Sequence, residues 1–265
     1  MRAQDEKIKG FNLLELIVVV VIIGVISAIG YPKFSDWRLD RETRNSVIKI
    51  KSLIQGINAQ VQRGQYAFVQ VHVEEDDGLV VTSKGMKPQK LASLLNDGDS
   101  EWWNDEGEPD FANICKTTDD DTYWDDNPFQ GANNIEVRQI TLDNVATTWQ
   151  GTDGAVCFSK NDRWYSGAPQ LQTGTGDQIF VDSNLFVCRR TNQRAKCDIN
   201  DNGIPTTEHK NLYTIEWSRF GNVTYEKFKN NYIIYDDGTR EWNKEDPGEW
   251  VCLLYTSDAA DDKQC

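Results

Sequence analysis

The sequence predicts an α+β protein in which a long N-terminal helix precedes a domain of antiparallel strands. An almost unbroken apolar run covers residues 11–30, and a helix of about 20 residues extends roughly 30 Å. Apolar residues with helical spacing then continue to Val61, and Gly64 is a suitable helix stop. Beyond Gly64 the apolar residues alternate with a period of two, which is typical of strands.

The second part of the predicted helix is amphipathic. Its apolar stripe recurs at spacings of three and four residues, and basic residues occupy the remaining faces. Gly24, Gly30 and Pro32 weaken helical order before this part, but we expect one helix to continue past Pro32. The stripe consists of Val47, Ile50, Ile54, Ile57 and Val61, and the basic residues are Arg38, Arg41, Arg44, Lys49 and Lys51.

The strands that follow are short and separated by turn residues. A short helix is expected over residues 88–95, and residues 96–134 are interpreted as a long acidic loop. The C-terminal part predicts an antiparallel meander with tight turns at 220–222, 230–231 and 237–238. Strands are predicted at residues 66–73, 79–82, 135–142, 155–159, 178–181, 185–190, 212–218, 222–228, 232–235 and 239–242.

The start of the chain carries the most specific pattern. Ten mostly polar residues end at Gly10 and run directly into Phe11, Asn12 and two leucines, which are followed by Glu15. The apolar run is long enough to cross a bilayer, so Glu15 lies inside a segment where a carboxylate costs about 3 kcal/mol. An acid at such a position is usually paired or functional.

This junction resembles the class III prepilin leader of the type IV pilin family. In that family a short charged leader ends in Gly, the mature chain begins with Phe, and its fifth residue is Glu. Gly10, Phe11 and Glu15 match one for one, and Pro32 matches a recurring helix-kinking proline. Residues 12–14 replace the commoner Thr-Leu-Ile, and the resemblance covers roughly residues 7–35 and fades beyond about residue 64.

The resemblance implies a pilin-like fold and an assembly mechanism. The first half of the helix is buried in a fibre, and the second half packs on an antiparallel β-sheet of a globular head. A prepilin peptidase cuts between Gly10 and Phe11 and methylates Phe11, and Glu15 pairs with the new amine during assembly. The implied segments are a leader at 1–10, a membrane-spanning spine helix at 11–64 and a head domain at 65–251.

The same resemblance implies partners and a location. The partners are other pilin subunits in a homo- or hetero-polymer, the bacterial inner membrane with its pilus assembly platform, and the peptidase. Arg2, Lys7 and Lys9 precede the span, so positive-inside bias keeps the N-terminus cytoplasmic. The head is then periplasmic and, after assembly into a pilus or pseudopilus, extracellular. A cleaved signal peptide or a plain single-pass anchor would not require Gly-Phe followed by Glu at this spacing.

The subfamily stays open between major pilin, minor pilin and pseudopilin. The sequence pattern at residues 216–223 resembles the strand-Gly-strand ending of H-type pseudopilins and FimT-like minor pilins. The large size of the chain favours a minor subunit of a type IV pilus or of a type II secretion pseudopilus.

Four cysteines lie in the predicted head domain. An even number in an exported domain predicts two disulfides, and three pairings are possible. Cys188 ends an apolar strand close to Cys197, so we favour Cys188 with Cys197 and Cys115 with Cys157. The alternative, a zinc site of four thiolates, lacks any C-x-x-C pair.

One loop has the spacing of a calcium site. Asp198, Asn200 and Asn202 alternate before Gly203, which resembles the start of an EF-hand loop, and Glu208 follows. The match then departs, because position twelve is His209. The loop is therefore interpreted either as a calcium site or as an Asn/Asp-rich turn without metal, the latter being favoured. The acids at 119–121 and 125–126 form a second, vaguer oxygen cluster.

The net charge of −14 is uneven along the chain. Residues 74–126 contain sixteen acids and four lysines, whereas residues 33–63 contain seven basic residues and three acids. The acidic segment is interpreted as a solvated face. The more specific alternative is that it is complementary in charge to the basic segment of a neighbouring subunit. A domain this acidic argues against binding to nucleic acid, which needs clustered Lys and Arg.

Three functions are weighed: a structural pilus subunit, a pilus-tip adhesin on the same anchor, and a membrane-tethered exported enzyme. The enzyme is disfavoured because the only histidines are His72 and His209 and no catalytic motif occurs. Aromatic pairs at 102–103, 123–124 and 164–165 form either a binding platform or a cover over the sheet, and cover is favoured.

The end of the sequence changes character abruptly after Val251. Residues 252–265 resemble a translated sequencing adapter, so we expect them to be a non-native tail and leave them out of the fold prediction.

Overall fold

The structure is a computed structural model of the chain. It describes residues 13–75, 78–96, 111, 115, 124, 135–147, 153–159, 164–166, 180–181, 184–191, 196–200, 202–217, 222–237 and 239–252. The chain divides into two compact units, residues 1–41 and residues 42–265. Several predicted features lie outside the described residues. They are Gly10, Phe11, the acidic runs at 119–121 and 125–126, and most of the predicted loop at 96–134.

Two helices and thirteen strands make up the described part of the chain. The helices are α1 (Leu13–Gln62) and α2 (Pro88–Asn96). The strands are β1 (Phe68–Glu75), β2 (Leu79–Met86), β3 (Ile135–Leu142), β4 (Val145–Ala146), β5 (Asp153–Ser159), β6 (Trp164–Ser166), β7 (Phe180–Val181), β8 (Asn184–Arg189), β9 (Leu212–Trp217), β10 (Val223–Asn230), β11 (Tyr232–Ile234), β12 (Arg240–Trp242) and β13 (Gly248–Cys252).

Helix α1 is continuous over 50 residues and ends at a glycine cap. Gly64 has a φ of 75°, and its N–H donates to the carbonyl of Val61 at 2.8 Å. The N–H of Gln65 donates to the carbonyl of Gln60 at 3.0 Å, which completes a Schellman motif. The predicted single helix past Pro32 and its stop at Gly64 are both confirmed.

All strand pairs are antiparallel, and they form two larger sheets and one ribbon. The first sheet has the order β3-β2-β1-β5-β6, and the second has the order β13-β10-β9-β8-β4, with β7 pairing with β8. Strands β11 and β12 form a separate two-stranded ribbon. This α+β arrangement of helices with antiparallel sheets agrees with the predicted fold class.

One apolar core joins the second half of α1 to both larger sheets. The predicted stripe, Val47, Ile50, Ile54, Ile57 and Val61, is between 0% and 5% exposed. The same cluster contains Val71 of β1, Val187 of β8 and Ile215 of β9. The three-and-four spacing therefore marks the face of the helix that is removed from water by the sheets.

The predicted C-terminal meander is wrong at its middle connection. Strand β10 pairs with β9 and β13, and it does not pair with β11. Asn230 is therefore the last residue of β10, opposite Gly248, instead of the first residue of a tight turn. The N–H of Asn231 donates to the carbonyl of Pro247 at 3.0 Å, which continues the β10–β13 alignment beyond the strand. A pairing partner from later in the chain outcompetes the local hairpin that the Asn-Asn pair suggested.

Other boundaries differ from the prediction by a few residues. Strand β1 begins at Phe68, and Tyr66 lies in the connection after the helix with its ring buried. Strands β4, β6 and β13 were not predicted, because two are very short and the third has no clear alternation. Strand β13 also includes Cys252, one residue inside the expected tail.

Candidate assembly site

The first part of α1 exposes apolar side chains on every face. The large apolar residues from Leu13 to Ile26 are each between 46% and 75% exposed. Large side chains left in water over several helical turns are unfavourable by roughly 25 cal/mol per Å² of apolar surface, so such a segment requires a partner or a bilayer. This segment is the candidate assembly site.

Glu15 is the acidic residue in the first described turn of α1. Its neighbours Leu14 and Leu16 are exposed apolar residues, and no Lys or Arg occurs in the sequence from residue 13 to residue 32. A carboxylate within an apolar surface attracts a cation when that surface is buried, because the low dielectric strengthens the attraction. Within this segment the sequence offers Glu15 no cationic side chain.

An aromatic group follows the apolar run. The rings of Phe34 and Trp37 lie 5.7 Å apart between centroids, and the guanidinium of Arg41 lies 5.4 Å from the centroid of Trp37. Tyr31, one turn earlier, is 76% exposed. Arginine over an indole ring is a favourable cation–π arrangement, and it holds this end of the segment in a defined side-chain conformation.

Polar contacts fix the second half of α1 on the sheets. The guanidinium of Arg44 donates to the hydroxyl of Tyr225 on β10 at 3.2 Å, and the ammonium of Lys51 lies 5.2 Å from the centroid of the same ring. On another face, the hydroxyl of Ser46 donates to Oδ1 of Asn144 at 3.0 Å. The sequence analysis treated Arg44 and Lys51 only as surface charges. Their seven-residue spacing, two helical turns, was the available signal that they share a partner.

Both predicted disulfides are present in the structure. Cys115 pairs with Cys157 of β5 with Cα atoms 5.8 Å apart, and Cys188 of β8 pairs with Cys197 with Cα atoms 5.7 Å apart. Each bond is buried in an apolar cluster of its own. The pairing preferred from the sequence is therefore the pairing in the structure.

Cys115 belongs to a buried cluster over the first sheet. The ring of Trp124 stacks on Phe68 of β1 at 5.8 Å between centroids, and it is 2% exposed. The amide nitrogen of Gln70 donates to the carbonyl of Cys115 at 3.1 Å. Trp124 therefore covers the sheet, as favoured from the sequence, while the other aromatic side chains of the supposed platform lie outside the described side chains.

The predicted calcium loop is held by its own hydrogen bonds. Oδ1 of Asn200 accepts from the N–H groups of Asn202 at 3.0 Å and Ile204 at 2.9 Å. One carboxylate oxygen of Asp198 accepts from the hydroxyl of Thr207 at 3.1 Å. An oxygen of Glu208 accepts from the hydroxyl of Tyr232 at 2.7 Å. One side-chain oxygen each of Asp198, Asn200 and Glu208 is thus directed to a donor within the protein, and the contacts of Asn200 are typical of an Asx turn.

A glycine with positive φ and a buried histidine also lie in this region. Gly203 has a φ of 73°, and the Nε2 atom of the buried His209 accepts from the N–H of Asp198 at 3.2 Å. Across the described residues, no group of three or more His, Cys, Asp or Glu side chains is arranged to hold a metal ion.

No helix in the described part of the chain is both long enough and apolar enough to cross a membrane.

The architecture described above, a long helix with antiparallel sheets in an α+β fold, is consistent with the pilin-like class of proteins. The chain is 32% identical over 65 residues to two fimbrial proteins of Pseudomonas aeruginosa, which covers 24% of this chain and 40% of each relative. It is 31% identical over 93 residues to fimbrial protein Q of Moraxella bovis, which covers 34% of this chain and 59% of that relative. These similarities support a pilin-like family.

The chain spans between 40% and 59% of the length of these relatives. No protein-family model matches the chain. No solved structure matches it either.

Proposed function

We propose that the protein is a structural subunit, of the minor kind, in a type IV pilus or a type II secretion pseudopilus. The observation that carries the proposal is the contrast within α1. The same helix exposes its apolar residues from Leu13 to Ile26 and buries its stripe from Val47 to Val61. A helix built in this way is folded onto its own head at one end and available to other molecules at the other.

The similarity to fimbrial proteins supports this use of the exposed segment. Neighbouring copies of such a helix bury each other's apolar side chains, so the segment stays out of water once the subunit has left the bilayer. The partners are therefore other pilin subunits of the same or a related sequence. The role is structural, and no step of it requires catalysis by this chain or a nucleic acid.

Processing precedes assembly in the proposed mechanism. The subunit waits in the inner membrane, with residues 11–30 as the anchor and the N-terminus in the cytoplasm. A prepilin peptidase cuts between Gly10 and Phe11 and methylates the new amine of Phe11. The basic residues before the apolar run support this orientation, and the resemblance of the junction supports the cut.

The new amine supplies the cation that Glu15 lacks. No Lys or Arg lies between residues 13 and 32, whereas the cut creates a positive charge at the start of the mature chain. Pairing of that charge with Glu15 of a neighbouring copy would neutralise both groups in an apolar surrounding. Because the pair has a defined geometry, it would set the axial position of each incoming subunit.

The experiment that tests the proposal examines native filaments. Filaments are sheared from cells, and the mature N-terminus of the subunit in them is read by mass spectrometry. We expect the chain to begin at Phe11 with one added methyl group. A chain that begins at Met1, or near Tyr31, would contradict the processing step.

The amount of the subunit distinguishes the minor kind from the alternatives. A minor subunit is present in sheared filaments at a small fraction of the major pilin. A major pilin would dominate them, and a tip adhesin would be almost absent from them and located at their ends by immunogold labelling. Absence from filaments and pseudopili altogether would reject the structural role.

A further inference from the structure

Among its described residues, the second unit exposes three successive apolar residues at the tip of the β11–β12 ribbon. Ile233, Ile234 and Tyr235 are 44%, 77% and 46% exposed. Among the described residues of this unit, the other large apolar residues with comparable exposure are Val137 and Ile204, which are isolated from each other in the sequence. Ile234 lies on the face of the ribbon that carries Arg240, and Tyr235 lies on the other face, where its hydroxyl donates to Glu241, so the tip exposes apolar side chains on both faces. An apolar projection of this kind indicates an interaction surface.

The ribbon is held rigidly at its base. The hydroxyl of Tyr232 donates to Glu208, and the guanidinium of Arg240 lies 4.8 Å from the centroid of the Tyr232 ring. The indole of Trp242 donates to the carbonyl of Pro247 at 3.1 Å and is buried. The apolar tip is therefore presented in one conformation, which reduces the entropy lost on binding.

The turn that follows the apolar tip is acidic and also ordered. The N–H of Thr239 donates to Oδ1 of Asp237 at 2.8 Å, and the N–H of Tyr235 donates to the carbonyl of Thr239 at 2.9 Å. Asp236 is exposed beside Asp237. Residues 232–246 contain five acidic and two basic residues, and one of the basic residues, Arg240, is already placed over Tyr232. The partner should thus combine apolar and positively charged groups.

The part of α1 that follows the candidate assembly site, residues 31–41, has this combination of apolar and positively charged groups on one helical face. At about 100° per residue, Tyr31, Phe34 and Trp37 fall on the same side of α1 as Arg38 and Arg41. Tyr31, Phe34 and Trp37 are exposed, at 76%, 60% and 54%. The acids of this segment, Asp36 and Asp40, fall on the opposite side by the same helical periodicity.

We propose that the β11–β12 ribbon of one subunit docks on this aromatic and basic face, residues 31–41, of a second copy of the chain. Ile234 packs on the rings of Phe34 and Trp37, while Asp236 and Asp237 lie against Arg38 and Arg41. Two ribbons do not dock on each other, because their aspartates repel. The inference rests on the proposed assembly into filaments and adds the surface by which heads contact neighbouring helices.

The test places a photo-crosslinking amino acid at Ile234 in the full chain, in cells that make filaments. A matched variant carries the same probe at Val137, an exposed residue on edge strand β3. After irradiation, sheared filaments are digested, and the cross-linked peptides are identified by mass spectrometry. We expect the Ile234 probe to join peptides that contain residues 31–41 of another copy, and we expect the Val137 probe not to do so.

A charge exchange tests the polar part of the contact. Asp236→Arg should reduce the cross-link yield by about fivefold, the effect of losing an exposed ion pair of about 1 kcal/mol. Asp236→Arg combined with Arg41→Asp should restore part of that yield. Equal yields in all variants would remove the charge pairing from the proposal.

The outcomes separate this inference from the proposed function. Filaments that contain the Ile234 probe variant but give no cross-link to residues 31–41 overturn the docking surface and leave the filament role intact. Cross-links to lipid, to another protein or to a second ribbon also overturn it. Absence of the native chain from filaments rejects both proposals.

Discussion

The hydroxyl of Tyr66 donates a hydrogen bond to the carboxylate of Glu136, and thereby joins the end of α1 to strand β3. The Tyr66 ring is buried against Gly85 of β2, where a Cβ atom would lie 2.7 Å from the ring. The other oxygen of Glu136 accepts from Arg138 at 2.8 Å. Only glycine at position 85 leaves room for the ring.

This pair predicts a pH dependence at the alkaline end. Burial, followed by the hydrogen bond to Glu136, raises the pKa of Tyr66 from 10.0 to about 12. Because the folded state holds the proton more tightly than the unfolded state, this contribution to stability is complete below pH 10. It is lost as the pH rises towards 12.

Tyr66→Phe should abolish the part of the alkaline pH dependence of stability that comes from the Tyr66 hydroxyl. The variant should be less stable by about 1 kcal/mol near pH 8, because one hydrogen bond is removed. Its stability should then fall less steeply than that of the native protein above pH 10. Urea unfolding at several pH values measures both effects. Tyr235→Phe is the comparison: the hydrogen bond to Glu241, at 3.0 Å, also raises the pKa of Tyr235, but this residue is exposed, so we expect a smaller change in the alkaline profile. Parallel pH profiles for the native and Tyr66→Phe proteins would contradict the prediction.

The change of stability at acidic pH depends on Glu136. Hydrogen bonds from Tyr66 and then from Arg138 lower the pKa of this carboxyl below its ordinary value. Its contribution to stability is therefore present above the ordinary glutamate pKa and is lost as the pH falls through the lowered value. Glu136→Gln should flatten the stability profile in this acidic range, which urea unfolding at several pH values measures.

The two disulfides should differ in their contribution to stability. Cys115–Cys157 closes a loop with a sequence separation of 42, and Cys188–Cys197 closes one of 9. The chain-entropy relation gives about 4 kcal/mol for the longer loop and about 2.5 kcal/mol for the shorter one. Double Cys→Ala variants of each pair, compared by urea unfolding, should show this order. Peptide mapping of the native exported protein without reduction should find none of the four thiols free to alkylate.

The loop at 198–208 should owe its order to Asn200. Asn200→Ala removes the acceptor of two backbone N–H groups, so we expect a loss of about 1–2 kcal/mol. Substitution of Asn202 by Ala is the control, because the contact described for Asn202 uses its backbone. We expect the melting temperature of the native protein to be equal in chelator and in millimolar calcium. A rise with calcium that Asn200→Ala abolishes would instead establish the calcium site.

Glu15 should be required for entry into filaments. Glu15→Ala is expected to leave cleavage and membrane association unchanged and to reduce the fraction of subunit recovered in sheared filaments. Glu15→Asp should have a smaller effect, because its side chain is shorter by one methylene. The control is Asp36→Ala, which removes a carboxylate from the same helix outside the apolar run. Normal incorporation of Glu15→Ala would make this carboxylate dispensable.

Gly248 should be intolerant of substitution. Its φ is 133°, and a Cβ atom at this position would lie 2.0 Å from the carbonyl oxygen of Lys229 on β10. Gly248→Ala should prevent β13 from reaching β10 and lower the free energy of unfolding by at least about 1–3 kcal/mol. Thermal unfolding of this variant, beside the exposed-strand variant Glu249→Ala, provides the measurement. Equal melting temperatures would show that the backbone relaxes.

Local patterns in the sequence were sufficient for most elements. The buried stripe of α1, the cap at Gly64 and the bounds of β3 follow from spacing and turn residues, which act over a few positions. The partner of β10 did not follow, because Asn230 and Asn231 resemble a hairpin turn and the competing strand begins at Gly248. The contact of Arg44 with Tyr225 likewise joins residues 181 positions apart, and no short pattern identifies Tyr225 as the partner.

The pairing of β10 with β13 also has a consequence for the time course of folding. Strand β10 pairs with β9 across a connection of five residues, 218–222, whereas its other edge stays unpaired until residues 248–252, which follow the ribbon in the sequence, pair with it. Phe228 then meets Trp250, with ring centroids 5.1 Å apart. Until that moment, an unpaired edge and an apolar ring are available to any extended chain nearby. Closure over this distance is expected to follow the pairing of β9 with β10, and the interval before it leaves a newly made subunit open to aggregation.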